Sequence, residues 1–169
     1  MKYERISLFG IPGGGKSTFA RKLSQKTGQE IIYMDREFLS DLDKYFGHNE
    51  VFSKWVKQQS KKDSWIMDGN YKEASLEIRK DRSDLIIFFD MPTYLALYRV
   101  MKRSIVSKFK RRVDVPTNFK DSSFFQFIKH VKNYNAKNRK KFFSNIDDYS
   151  GELIIVKSKK QAAQLLDQL

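Results

Sequence analysis

A cluster of glycines followed by a lysine and two hydroxyl residues lies near the start of the chain and is typical of phosphate binding. Gly10, Gly15, Lys16 and Ser17 match the pattern G-x-x-x-x-G-K-[ST]. Glycines at these positions let backbone N–H groups approach phosphate oxygens without obstruction from side chains. We therefore expect a nucleoside triphosphate, either ATP or another NTP, to bind at this stretch, with its phosphates held by Gly10, Gly13, Gly14, Gly15, Lys16, Ser17 and Thr18.

Two of these residues are expected to do more than contact phosphate. Lys16 should bridge the β- and γ-phosphates of the nucleotide, and the Ser17 hydroxyl should ligate Mg²⁺. A predicted strand (2–9) precedes the glycines and a predicted helix (17–27) follows them, so the helix N-terminus adds a field that favours negative charge. The alternative is a glycine turn that only joins strand to helix, but such a turn has no need of Lys followed by Ser.

Aspartates end three further predicted strands, and all three are candidates for magnesium or acceptor chemistry. The stretches EIIYMD, SWIMDG and DLIIFFD contain Asp35, Asp68 and Asp90. Ligands of open parallel sheets bind at the carboxyl ends of the strands, so we expect these acids near the phosphate loop. Asp68 is predicted to be the second magnesium-site acid, with Asp90 as its competitor. Asp35 is expected either to orient or deprotonate an acceptor hydroxyl or to help bind magnesium. The alternative for each is a helix cap or a solvated loop residue.

Strands alternate with helices along the chain, and this order must position the candidate residues. The predicted strands are 2–9, 30–35, 64–69, 84–90 and 151–156, and the predicted helices are 17–27, 36–46, 51–60, 74–80, 93–109, 124–143 and 159–169. Nearly continuous apolar strands indicate that both faces of the sheet are covered. The predicted fold class is therefore α/β, with a three-layer, helix-covered parallel sheet in one domain spanning 1–169.

Composition narrows the classes of site that the chain can carry. There is no cysteine, which excludes disulfides and thiolate metal sites, and the two histidines, His48 and His130, lack a ligand spacing. Any metal must then be held by oxygen, which favours Mg²⁺. The longest apolar run, 85–89, is far shorter than the ~20 residues of a membrane-spanning helix. We expect a cytoplasmic protein with no membrane association.

Positive charge is concentrated in one segment. The net charge is +13, and residues 102–141 contain thirteen Lys or Arg residues against two acids. Such a segment forms a solvated face, a clamp on nucleotide phosphates, or a contact surface for a nucleic acid backbone. Aromatic residues interleave with the basic ones, as stacking on bases would require, but core packing is the alternative for Phe124, Phe127, Ile128, Val131, Tyr134 and Phe142, which share one helical face.

Four stretches together, GIPGGGKST, YMDREF, WIMDGNY and YRVMKR, resemble the DNA topology modulation protein family, the FlaR-type group of the adenylate-kinase-like phosphate-loop kinases. The resemblance covers most of the chain. It implies the strand order 2-3-1-4-5, a mobile basic lid at about 104–123 and an acceptor-side insertion at about 36–63. It also implies a small-molecule kinase that uses ATP and Mg²⁺.

The resemblance implies roles for several arginines. Arg99 and Arg103 correspond to arginines that similar kinases bring onto the transferring phosphoryl group, and Arg139 is a candidate for the same role from the far side of the lid. Asn70 and Tyr71 replace the Phe-Pro-Arg of the related Asp-Gly-Phe-Pro-Arg run, so the arginine that contacts an acceptor phosphate is missing there. Arg79 either supplies that charge or is an exposed helix residue.

Two classes of function follow from these observations. The first is a kinase that transfers the ATP γ-phosphate to a nucleotide-like or other small acceptor. The second is an ATP-dependent nucleic-acid-binding protein that uses segment 102–141. A GTPase switch is disfavoured, because no N-K-x-D run is present. Four aromatic residues on the presumed acceptor side either stack on a base or pack in the core: Phe38, Tyr45, Trp55 and Tyr71.

Overall fold

The computed structural model describes residues 2–70, 73–107, 124–134 and 138–169. Its five strands form one parallel sheet in the order β2-β3-β1-β4-β5, which confirms the predicted order. The strands are β1 (Arg5–Gly10), β2 (Ile31–Tyr33), β3 (Trp65–Asp68), β4 (Leu85–Phe89) and β5 (Glu152–Val156). β1 lies at the centre, so the loop that follows it opens at the middle of the carboxyl edge of the sheet.

Helices connect the strands. In the described part of the chain they are α1 (Lys16–Thr27), α2 (Met34–Ser40), α3 (Leu42–Tyr45), α4 (Asn49–Gln59), α5 (Glu73–Arg82), α6 (Thr93–Ser107), α7 (Phe124–Tyr134), α8 (Lys140–Asn145) and α9 (Lys159–Gln168). Gly28 ends α1 in a left-handed conformation and donates its N–H to the Ser24 carbonyl, as expected of a glycine cap. Among the described helices, none is long and apolar enough to cross a membrane.

The core has two parts. A larger cluster packs β1 and β4 against α1, α6 and the elements from α7 to α9, and a smaller one packs β2 and β3 against α2 and α4. All residues of β3 and β4 are buried, as the apolar strand pattern predicted. The edge strand β5 differs, because Leu153 and Ile155 remain 36% and 37% exposed. Helices therefore cover the centre of the sheet on both faces and leave its β5 edge partly open.

Most predicted elements differ from the structure by one to three residues at their ends, and in three places the difference affects the candidate residues. The second strand ends at Tyr33, so Asp35 lies in the first turn of α2. The helix predicted over 36–46 is divided at Asp41 into α2 and α3, and Phe46, predicted to share the apolar face with Phe38, Leu39 and Leu42, is 75% exposed. The single helix predicted over 124–143 corresponds to α7 and α8, and most of the predicted lid lies outside the described residues.

Candidate active site

The phosphate loop, residues 10–15, runs closely against β4 and α6. Gly10 has a φ of 125°, and a Cβ atom there would lie 2.3 Å from the Phe89 carbonyl oxygen. Gly13 has a φ of 81°, and its Cβ would lie 2.6 Å from the Ala96 carbonyl oxygen of α6. Both positions therefore require glycine for conformation and for space. This packing fixes the loop between the sheet centre and the helix that carries Arg99.

Two cations contact the backbone of the loop. Lys16, only 9% exposed, donates from Nζ to the carbonyl oxygens of Gly10 and Ile11 at 2.8 and 3.1 Å. Arg99 donates from Nη1 to the Gly14 carbonyl at 3.1 Å. Lys16, at the start of α1, and Arg99, on α6, thus place positive charge next to the loop, and this charge can attract phosphate oxygens. Ser17 is half-buried at the start of α1, and the neighbouring Thr18 is exposed.

Two of the three candidate acids meet at the turn after β3. Asp68 ends this strand with 4% exposure and pairs in register with Leu8 of β1 and Tyr33 of β2. The next residue, Gly69, has a φ of 136°, and a Cβ atom there would lie 2.9 Å from Asp35 Oδ1. The β3 turn therefore brings Asp35 and Asp68 together beside the strand that leads into the phosphate loop.

Asn70 connects this turn directly to the phosphate loop. Its Oδ1 accepts a hydrogen bond from the Gly10 backbone N–H at 2.9 Å. In the sequence, Asn70 marked only a departure from the related kinase run, and no spacing pattern indicated the contact. The structure shows that the side chain at this position holds the start of the loop.

Arg79 is fully buried, and this burial excludes both predicted roles, the cation on an acceptor phosphate and the exposed helix residue. It is neither an exposed helix arginine nor a cation that reaches an acceptor, because its guanidinium lies over the Phe9 ring at 3.7 Å inside the core. Burial lowers the pKa of Arg79 to about 9, while the charges of Asp68 and Asp35 act in the opposite direction. Its hydrogen bonds to the carbonyls of Met67 and Gly69, at 2.9 and 2.6 Å, place the guanidinium next to the backbone on either side of Asp68.

Asp90 lies beside the loop but is engaged with Arg139. The carboxylate accepts hydrogen bonds from Arg139 Nε at 3.0 and 3.1 Å, and the same guanidinium lies 4.9 Å from the centre of the Phe143 ring. Burial and the Asp90 charge raise the pKa of Tyr134. In this conformation, Asp90 balances a cation of the basic segment, and the acids at the β3 turn are Asp68 and Asp35.

Some of the remaining candidates lie outside the part of the chain that the structure describes. These are Tyr71 and the side chain of Arg103. Tyr45 is completely buried and packs on Phe38 and Phe52, with Trp55 stacked on Phe52, so these aromatic rings contribute to the smaller core. In the basic segment, the described side chains at Val131, Tyr134 and Phe142 are also core residues, which disfavours them as a stacking surface for bases.

The oxygen ligands around the loop are suited to Mg²⁺. The Ser17 hydroxyl and the Asp68 carboxylate are both hard ligands, and Mg²⁺ is usually held by one or two protein oxygens together with water and substrate phosphates. The described residues contain no group of three or more His, Cys, Asp or Glu side chains that could hold a metal without such help. The donor set therefore fits Mg²⁺ that binds together with a nucleotide.

Comparison with known proteins supports the architecture. No protein-family model matches the chain, and no curated protein does. Solved structures do match: a shikimate kinase from Acinetobacter baumannii, in complex with shikimate, has a TM-score of 0.67 at 14% identity and covers 98% of this chain and 89% of its own. The chain has the P-loop kinase fold.

Two further structures have the same fold. A shikimate kinase from Bacteroides thetaiotaomicron has a TM-score of 0.65 at 11% identity, over 98% of this chain and 95% of its own. A deoxyadenosine kinase from M. mycoides, solved with dCMP and dCDP, has a TM-score of 0.55 at 19% identity, over 96% of each chain. At such identities the likeness concerns the fold, and the acceptor must be argued from this chain's own residues.

Proposed function

We propose that this protein is an ATP- and Mg²⁺-dependent small-molecule kinase. The observation that carries the proposal is the meeting of two sets of residues at one edge of the sheet. Lys16 and Arg99 contact the phosphate loop, and Asp68 and Asp35 lie at the turn that Asn70 ties to that loop. Phosphoryl transfer to a hydroxyl commonly uses such an arrangement, with one acid on the metal side and another that positions the nucleophile.

The cations are proposed to stabilise the transferring phosphoryl group. Its transition state spreads negative charge over three oxygens, and fixed positive groups offset this charge without reorganising. Lys16 and Arg99 act from the loop. Arg103, one helical turn beyond Arg99 on α6, and Arg139, at the start of α8, are proposed to join them when nucleotide is bound.

Asp68 and Asp35 are proposed to have different roles in the reaction. Ser17 and Asp68 would hold Mg²⁺, which supplies charge neutralisation on the nucleotide phosphates. Asp35 orients the acceptor hydroxyl and accepts its proton as the new phosphate ester forms. This assignment keeps Asp35 on the acceptor side and Asp68 on the metal side of the same turn.

The acceptor is proposed to be a hydroxyl compound that does not depend on a phosphate-binding arginine after Gly69. Asn70 occupies that part of the turn and bonds to the loop, and Arg79 is buried. The resemblance to the topology modulation family agrees with a nucleotide-like acceptor, while the structural neighbours named above include kinases of shikimate and of a deoxynucleoside. Nucleosides and hydroxy acids are therefore the first acceptors to test.

The test is a transfer assay with purified protein, γ-labelled ATP and Mg²⁺ against nucleosides, nucleoside monophosphates, sugars and hydroxy acids including shikimate. Transfer to at least one acceptor is expected. Lys16→Ala should reduce the rate by at least ~100-fold, since it removes a preorganised cation. Lys22→Ala, which changes an exposed lysine of the same helix, should be indistinguishable from the wild type. Absence of transfer across the panel, with Lys16→Ala and wild type alike, would overturn the proposal.

A further inference from the structure

The side chain of Arg79 makes a set of hydrogen bonds that all lie under the candidate site. It is completely buried, and Nε donates to Ser7 Oγ at 3.2 Å. Nη1 donates to the Gly69 carbonyl at 2.6 Å. Nη2 donates to the carbonyls of Met67 and Leu8 at 2.9 and 3.2 Å. One guanidinium thus joins α5 to the ends of two neighbouring strands.

These acceptors bracket one residue of the site. Met67 and Gly69 are the residues directly before and after Asp68, and both of their carbonyls bond to Arg79. Leu8 lies opposite Asp68 in the β1–β3 register, two residues before the phosphate loop begins. The guanidinium is therefore attached on both sides of the acid and to the strand that carries the loop.

The chemistry of arginine suits this position. A buried cation is unfavourable unless its donors find acceptors, and an apolar side chain would fill the same space without that requirement. The planar guanidinium presents five N–H donors in a fixed fork, so it can reach acceptors on two strands at once. A lysine has its three donors on one nitrogen and cannot span the same set.

We propose that Arg79 is a positioning residue that holds the β3 turn, and with it the Asp68 carboxylate, in a fixed place relative to the phosphate loop. This inference rests on the proposed function for its catalytic consequence. Lys16 and Arg99 contact the loop from α1 and α6 without Arg79, so ATP should still bind when Arg79 is lost, whereas transfer also requires the acid and the loop in register. Loss of Arg79 should thus affect kcat far more than ATP affinity.

The experiment compares Arg79→Met and Arg79→Lys with Ser83→Ala. Ser83 is a suitable control, because its buried hydroxyl bonds to Ser7 and to the Arg79 carbonyl but reaches neither Met67 nor Gly69. Arg79→Met should lower kcat by ~10–100-fold, as expected for a misplaced group, with the ATP Kd within about twofold of wild type. Arg79→Lys should recover part of kcat, and Ser83→Ala should keep it. Equal kcat in Arg79→Met and Ser83→Ala would overturn the inference.

Hydrogen exchange gives a second readout that does not depend on activity. In Arg79→Lys, the variant more certain to fold, the amides of Asp68, Gly69 and Asn70 should exchange at least ~10-fold faster, while those of β4 keep their protection. A uniform change across β3 and β4 would show that Arg79 only stabilises the fold. If the wild type transferred no phosphate, the proposed function would fail, and the exchange result would still decide whether Arg79 fixes the turn.

Discussion

Replacement of Gly69 by alanine tests the geometry of the β3 turn. Gly69 has a φ of 136°, and an added Cβ would lie 2.7 Å from Met34 Cβ and 2.9 Å from Asp35 Oδ1. The substitution thus imposes two costs: a backbone conformation that suits only glycine, and an overlap with α2. Since Asp35 must move away from the added methyl group, the substitution should also displace a proposed catalytic acid.

The size of the effect follows from these two costs. An unfavourable φ costs ~1–3 kcal/mol, and overpacking of a close contact costs another ~1–3 kcal/mol. Gly69→Ala should therefore lower the free energy of unfolding by about 2–6 kcal/mol. With a urea slope of ~2 kcal/mol per molar, the unfolding midpoint should fall by about 1–3 M.

Gly28→Ala is the matched control for this prediction. Gly28 also has a positive φ, 76°, but no atom lies within 4 Å of its added Cβ. Only the backbone cost applies there, about 1–2 kcal/mol, so the midpoint should fall by ~0.5–1 M. Urea unfolding followed by circular dichroism measures both variants. If Gly69→Ala loses no more free energy of unfolding than Gly28→Ala, the β3 turn is not packed against α2 as described.

Two further predictions concern the loop cation and an ion pair at the far end of the sheet. Arg99→Met should weaken ATP binding about tenfold, because it removes a charged hydrogen-bond donor from Gly14, whereas Lys102→Met on the same helix should have no effect in a fluorescent-nucleotide titration. Equal weakening in both variants would contradict this role. Burial acts to raise the pKa of Asp84, but hydrogen bonds from Arg5 outweigh it and hold this pKa below the ordinary 3.8. The Arg5–Asp84 pair therefore stabilises the fold above pH 3.8, and this contribution is lost as the pH falls further. Between pH ~2 and ~4, the free energy of unfolding should depend less on pH in Asp84→Asn than in wild type. Identical slopes in the two proteins would contradict this role of the pair.

Much of the architecture could be predicted from the sequence, because its signals are local. Apolar strands that end in turn residues, separated by helical patterns, gave the parallel sheet, and the glycine spacing located the loop between β1 and α1. The acids at strand ends were informative for the same reason, since parallel strands share one carboxyl edge. The sequence therefore predicts Asp35, Asp68 and Asp90 near the phosphate loop, and the structure brings Asp35 and Asp68 to the same turn.

The contacts of Arg79 and Asn70 could not be predicted in the same way. Arg79 bonds to the Gly69 carbonyl, 10 residues away in sequence, and Asn70 to the Gly10 N–H, 60 residues away. No local pattern indicates such partners. A signal for Arg79 did exist: Leu76, Arg79 and Ser83 recur at spacings of three and four and are all buried. That periodicity places Arg79 on the buried face of α5, whereas the largely polar composition of this helix favours an exposed arginine.

The pairing of Asp90 with Arg139 was also beyond local reasoning. Each residue has a plausible role in phosphate chemistry by itself, and only the fold brings the start of α8 to the end of β4. The same holds for the edge strand β5, whose apolar sequence predicts burial on both faces although Leu153 and Ile155 are partly exposed. Position in the sheet, rather than strand composition, decides how much of it is covered.

The proposed function requires that ATP bound at the phosphate loop transfers its γ-phosphoryl group to a small acceptor and not to water, with ADP as the leaving group. Phosphorus-31 NMR of wild-type protein with ATP, Mg²⁺ and the best acceptor of the transfer assay tests it most directly. ADP should form together with a new phosphate-ester resonance in equal amount, and neither product should form at a comparable rate with Lys16→Ala. Inorganic phosphate as the sole product beside ADP, or equal rates in the two proteins, would contradict it.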